Sequence, residues 1–155
     1  MKKVIYALLA IALWSGCRKE GDCRDGFTGD DCEIELTPQK VNIVSLASVV
    51  TSTDWDIFNG TLPDIFFVVE SSTGAVILTS VTCDNSNDCS WSGLLPFDPN
   101  QTCVVKVFDE DGLGFRELMG EFSIDLYTNG DGFPSIETWS TLNGVTLRVG
   151  FTYTH

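Results

Sequence analysis

An antiparallel β-sandwich is the fold class this sequence predicts, and three features carry that expectation. Two stretches alternate apolar and polar residues with a period of two. In the first, Phe122, Ile124 and Leu126 alternate with Glu121, Ser123 and Asp125; in the second, Val145, Leu147, Val149, Phe151 and Tyr153 alternate with Thr146, Arg148, Gly150, Thr152 and Thr154. Successive side chains of a strand point to opposite faces, so this alternation marks strands with one buried side. Clusters of Gly, Asn, Asp, Ser and Pro separate such stretches from Val41 onward, and nothing longer than one turn has the 3.6-residue period of a helix. Phe115 to Met119 is the one run with room for a helical turn.

The elements follow in order. Strands are expected over Val41 to Val50, Ile65 to Glu70, Ala75 to Val81, Thr102 to Phe108, Glu121 to Leu126, Glu137 to Leu142 and Val145 to Thr154. Asn143-Gly144 is a strong hairpin signal and pairs the last two. Six to eight strands at this spacing fit two packed antiparallel sheets.

Residues 1–16 read as a leader. Lys2 and Lys3 give a basic start, Val4 to Leu13 an apolar run, and Ser15-Gly16 place small residues before Cys17. The run is shorter than the roughly 20 residues needed to cross a bilayer. Leu13-Trp14-Ser15-Gly16-Cys17 resembles the lipobox of bacterial lipoproteins, with Trp14 where that family usually has Leu. The resemblance implies cleavage before Cys17, acylation of that cysteine and a cell-envelope location, at the outer membrane or cell surface; plain secretory cleavage is the alternative.

Cleavage removes Lys2 and Lys3 from nine basic residues, leaving seven against twenty-two acidic ones, a net charge near −15. Such a chain has no basic patch for nucleic acid or an anionic surface, and its partners should be cationic or neutral. Outside the cytoplasm cysteines pair. Besides Cys17, Cys23 with Cys32 and Cys83 with Cys89 make local pairs and leave Cys103 over; Cys103 bonded to Cys83 or Cys89 is the other solution, and an inward-facing core thiol is the plain reading of it.

Residues 17–38 form a polar tether. Within it, Cys23-Arg24-Asp25-Gly26-Phe27-Thr28-Gly29-Asp30-Asp31-Cys32 resembles the C-terminal half of an EGF-like module, without that module's other four cysteines. Alone it is too small to hold a core.

The chemistry-bearing stretch is Phe108-Asp109-Glu110-Asp111-Gly112-Leu113-Gly114-Phe115-Arg116-Glu117-Leu118-Met119-Gly120. A strand leads into Asp109 and Asp111, and Glu117 precedes an apolar pair and a glycine. Carboxylates gathered on one loop repel unless a cation sits among them, and Ca²⁺ takes six to eight oxygens in flexible geometry. An EF-hand is excluded by register, because Gly112 at its sixth position would put Val107 and Leu118 in ligand positions.

Asp-x-Asp, five residues, an acid, then apolar-apolar-Gly resembles the third calcium loop of C2 domains, with Glu117 where Asp is commoner. Asp64, followed by the aromatic Ile65-Phe66-Phe67-Val68, resembles the second acid of that family's first loop, and Asp56 stands for the first. The resemblance covers residues 39–155. It implies an eight-stranded C2-like sandwich of two four-stranded sheets, a Ca²⁺ site formed by Asp56, Asp64, Asp109, Asp111 and Glu117, and docking to a lipid, glycan or protein partner. Where the family carries a basic strand for phosphoinositide headgroups, this chain has the acidic Cys83-Asp84-Asn85-Ser86-Asn87-Asp88-Cys89, so that role is expected to be lost.

The plain counterpart is a metal-free structural or adhesive sandwich in which these acids are solvated turn residues. Trp55 and Phe58 are core aromatics before they are a stacking face. An enzyme is not expected: His155, the one histidine, is terminal, and no nucleophile elbow, phosphate-binding glycine loop or Cys-x-x-Cys spacing occurs.

Overall fold

Apolar residues at every second position become one wall of a core as soon as the strands pair, and this organises the computed structural model, which describes residues 23–52, 61–111 and 114–155. The leader with Cys17, the segment holding Asp56, and Gly112-Leu113 lie outside the described residues.

The chain divides into two compact units between Thr37 and Pro38. In the first, β1 (Phe27–Thr28) pairs antiparallel with β2 (Ile34–Glu35). The Cys23–Cys32 disulfide joins the two ends of that loop, and the Arg24 guanidinium lies 3.9 Å over the Phe27 ring.

The second unit holds eight strands: β3 (Lys40–Val50), β4 (Ile65–Ser71), β5 (Val76–Thr79), β6 (Asp88–Phe97), β7 (Thr102–Asp111), β8 (Phe115–Asp125), β9 (Ile136–Ser140) and β10 (Val145–Thr154). They form two four-stranded antiparallel sheets, ordered β6-β3-β10-β9 and β5-β4-β7-β8. The eight-stranded sandwich expected from sequence is therefore what forms. Its core lies between the sheets, with Val41, Ile43, Leu46, Leu147, Val149 and Phe151 on one inner face and Ile65, Phe67, Val69, Val105, Val107 and Ile124 on the other.

The two cleanest alternations lie within β8 and β10, and the Asn143-Gly144 hairpin joins β9 to β10 as expected, with Leu147 opposite Trp139. Gly144 has φ +80, and a side chain there would stand 2.9 Å from Thr51 Oγ1, so the turn needs a glycine twice over.

Two elements differ from expectation. Phe115 to Met119 is the start of β8, not a helical turn, because hydrogen bonding to β7 outweighs the weak helical preference of five residues. β6 has no alternation to announce it: it contains Gly93 and Pro96 and is bulged opposite β3 between Ile43 and Ser45. An edge position makes the proline tolerable.

Both local disulfides form, Cys23–Cys32 and Cys83–Cys89, which leaves Cys103 as a buried thiol on β7. Desolvation pushes that thiol up to about 12. The thiolate is the reactive form. Peptide mapping after treatment of native protein with an alkylating reagent at pH 8 should find Cys103 unmodified, and denaturant should make it react fully.

Candidate functional site

One end of the sandwich collects the β3–β4, β5–β6, β7–β8 and β9–β10 connections, because β4 and β6 begin where β3 and β7 end: Ile65 lies opposite Asp109, and Asp88 opposite Val49. Four of the five acids expected to hold a cation are described, and all four lie at this end.

Asp109 is the centre of the arrangement. Cys103, Val105 and Val107 face the core, and the same alternation turns Asp109 inward, so that it is 1% exposed. Its Oδ1 accepts the Asp64 backbone N–H at 2.7 Å. The Asp64 carbonyl in turn accepts the Glu110 N–H at 2.9 Å, which fastens the start of β4 to the end of β7. Burying a carboxylate is costly unless hydrogen bonds or a cation compensate it.

Glu117 reaches this face through an irregularity. Val107 pairs with Gly120 but Phe108 pairs with Leu118, so Met119 is an extra residue in β8. A one-residue shift exchanges the faces of a strand. It sets Glu117 directly across from Asp109, on Asp109's side of the sheet, and turns Leu118 to the outer side with Phe108. Directly opposed residues bring their Cβ atoms to about 4.5–5.5 Å, where like charges repel. Asp111 ends β7 on the same face, opposite Phe115.

Asp64 is positioned by a loop that sequence reasoning treated only as a departure. Cys83 and Ile65 exchange backbone hydrogen bonds, the Ser86 N–H donates to the Pro63 carbonyl, and the Asn85 N–H donates to Asp64 Oδ1 at 2.6 Å. Asn85 holds φ +47, a left-handed conformation that asparagine accepts more readily than most residues. The Cys83–Cys89 disulfide closes this loop, so the stapled acidic segment orients the Asp64 carboxylate. Asp-Asn-Ser between two cysteines was the available signal, since Asn and Asp favour such turns.

The donors at this end are oxygen only, which suits a hard cation such as Ca²⁺. Among the described residues no three His, Cys, Asp or Glu side chains stand close enough together to hold a metal ion. Asp56 lies outside them.

The outer face of the β5-β4-β7-β8 sheet carries Lys106, whose ammonium donates to Glu70 at 2.8 Å and lies 3.7 Å from Glu121. The hydrogen bond to Glu70 chiefly raises its pKa. Nearby, Phe66 stacks on Phe108 at 5.3 Å and the Arg116 guanidinium lies 4.9 Å over Phe66.

Two four-stranded antiparallel sheets with acidic loops gathered at one end define the class of the fold as a two-sheet antiparallel β-sandwich. Solved structures make this specific. A structure described as that of a C2 domain superposes with TM-score 0.57 at 15% identity, covering 75% of this chain and 98% of its own. A C2 domain of plant extended synaptotagmin 1 gives 0.55 at 20%, covering 76% and 95%. Human GIVD cytosolic phospholipase A2, in complex with methyl gamma-linolenyl fluorophosphonate inhibitor and terbium chloride, gives 0.57 at 14%; the match covers 77% of this chain but 18% of the enzyme. The fold is C2-like. No protein-family profile matches the chain, and no curated protein does.

Two sets of variants probe the site's framework. Asp109→Ala removes the acceptor for the Asp64 N–H and should cost about 1–3 kcal/mol in denaturant unfolding; Asp109→Asn, which keeps an acceptor oxygen, should cost less. Replacing Cys83 and Cys89 together by Ala should lower stability by about 2 kcal/mol through the freed loop, and amide exchange should quicken at Asn85 and Ser86.

Proposed function

We propose that this chain is an exported, lipid-anchored module that binds Ca²⁺ at the acidic end of its C2-like sandwich and thereby docks to a membrane surface. The observation that carries the reading is a buried Asp109 carboxylate facing Glu117 across two strands, with Asp111 on the same face and Asp64 tied to Asp109 through its backbone. A divalent ion offsets that repulsion. Asp56 is the fifth expected ligand.

The terbium chloride in the phospholipase structure supports the reading by chemistry, since trivalent lanthanide ions favour oxygen donors as Ca²⁺ does. Leu62, Val81 and Phe115 are exposed near the acids, which supports a lipid surface over a glycan or a protein partner. The module performs no turnover. Its first unit, stapled by Cys23–Cys32, acts as a short EGF-like spacer after the acylated Cys17.

With a Kd near 10⁻⁴ M, of the order found in extracellular calcium modules, 10 mM Ca²⁺ adds about 2.7 kcal/mol to stability. Thermal melting should rise by several degrees over the value in chelator, and the rise should vanish in Asp109→Asn/Asp111→Asn. Superposable curves would instead establish a metal-free structural or adhesive sandwich.

Membrane attachment is tested separately. In chelator, Cys17→Ser should move the protein from the membrane fraction to the soluble fraction; retention there would exclude acylation of Cys17.

A further inference from the structure

Sheets that do not close on themselves end in strands whose outer backbone groups are free to pair. Among the described residues these edges are β6 and β9 of one sheet and β5 and β8 of the other. Such edges invite association with another strand, and charges or prolines usually blunt them. Three follow that rule: β6 carries Asp88 and Pro96, β9 carries Glu137, and β8 carries Arg116, Glu117, Glu121 and Asp125. β5, Val76-Ile77-Leu78-Thr79, has neither a charge nor a proline.

The exception extends beyond the strand itself. From Ser71 to Cys83 no Asp, Glu, Lys or Arg occurs, although 20% of the chain is charged and its net charge is −13. Glu70 and Asp84 bound this stretch, and Ile77 is its midpoint. Apolar side chains stand out from it, with Val76 61%, Ile77 43% and Val81 81% exposed.

Pairing with β4 accounts for that exposure. Leu78 lies opposite Val69 and packs on the core, but Val76 lies opposite Glu70, so Ile77 is an extra residue in β5. Glu70 meets Lys106 on the outer face of the sheet, and the register sets Val76 on that side beside it. Ile77 has no residue of β4 across from it. Ser80 donates its N–H to the Phe67 carbonyl, so the preceding Thr79 directs its own N–H to the free edge.

We propose that β5 pairs antiparallel with β5 of a second copy of this chain, about a two-fold axis at Ile77, joining the two β5-β4-β7-β8 sheets into one of eight strands. Charge identifies the occupant. A second copy brings the same excess of acid, and like charges set against each other across strands are destabilising; the other three edges would each bring carboxylates to the contact. An uncharged stretch centred on Ile77 meets its own copy without that cost, because each flank of an antiparallel pair faces the opposite flank of the other copy. A cationic peptide would find no carboxylate within the stretch to hold it. A two-fold contact closes at two copies and leaves the edge covered. Interfaces of stable complexes bury about 1,200–2,000 Å²; a four-residue edge and its flanks offer less, so the pairing is reversible and concentration-dependent. The inference depends on neither the calcium site nor the lipid anchor.

The test is sedimentation equilibrium of the full chain as Cys17→Ser with chelator present, so that neither an acyl chain nor a divalent ion contributes. A monomer–dimer equilibrium should appear, with a Kd between about 10 μM and about 1 mM. Ile77→Lys, at an exposed position, should raise that Kd at least tenfold with no loss of melting temperature, while Leu94→Lys on the β6 edge should leave it unchanged. Under mild oxidation Ile77→Cys should give a disulfide-linked dimer and Leu94→Cys should not. Exchange of the Thr79 amide should slow as the protein is concentrated. Monomer alone up to millimolar protein, assembly beyond two copies, a dimer indifferent to Ile77→Lys, or no cross-link through Ile77→Cys would each overturn the proposal. So would a Thr79 amide already slow to exchange in the monomer, which would mean that another segment of the chain covers the edge.

Discussion

The buried carboxylate of Asp109 is the constraint around which the acidic end of this sandwich is arranged. It occupies the position where the inner face of β7, after Cys103, Val105 and Val107, would place another apolar side chain. The strand's period leaves it no outward orientation. A charge there must be met by donors or by a cation, and its surroundings are fitted accordingly. The Asp64 N–H is aimed at Oδ1, and that hydrogen bond fixes where β4 begins.

From this contact the rest of the end follows. Asp64, held by its backbone to β7, has its own carboxylate met by the Asn85 N–H. Asn85 sits in a loop closed by a disulfide and pinned to Pro63 and Ile65 by backbone hydrogen bonds. Rigidity thus passes from a covalent staple, through a turn, to a carboxylate, in the manner of a second layer of residues orienting a site. The bulge at Met119 acts on the other flank: without the extra residue, Glu117 would stand on the outer side and the pair facing it would be lost.

The fold was legible because its signals are local. β10 could be read residue by residue, since one unbroken alternation covers its whole length, and Asn143-Gly144 marked the turn before it. β6 was hidden because Gly93, Pro96 and a bulge break the period, and its place depends on pairing with β3, a contact remote in sequence. The acids were legible as residues, and Asp64 and Asp109, which the C2 resemblance assigned to neighbouring loops, are joined by a hydrogen bond. Their orientation was not: the bulge that turns Glu117 inward and the left-handed Asn85 that meets Asp64 are products of tertiary pairing, and neither leaves a periodic trace.

Acid enrichment in this chain is not uniform decoration of a surface. Where a cation is available within the fold, carboxylates take it: Lys106 is shared by Glu70 and Glu121, and Lys40 pairs with Asp98. Basic residues are few, however, and at the loop end Asp109 and Glu117 lie directly opposite each other. That end is also held by a disulfide on one flank and a bulge on the other. These constraints keep Asp109 buried, so its charge stays opposite Glu117 in the folded state. A cation from outside the chain would relieve that repulsion, and a set of donors made of oxygen alone suits a hard divalent ion.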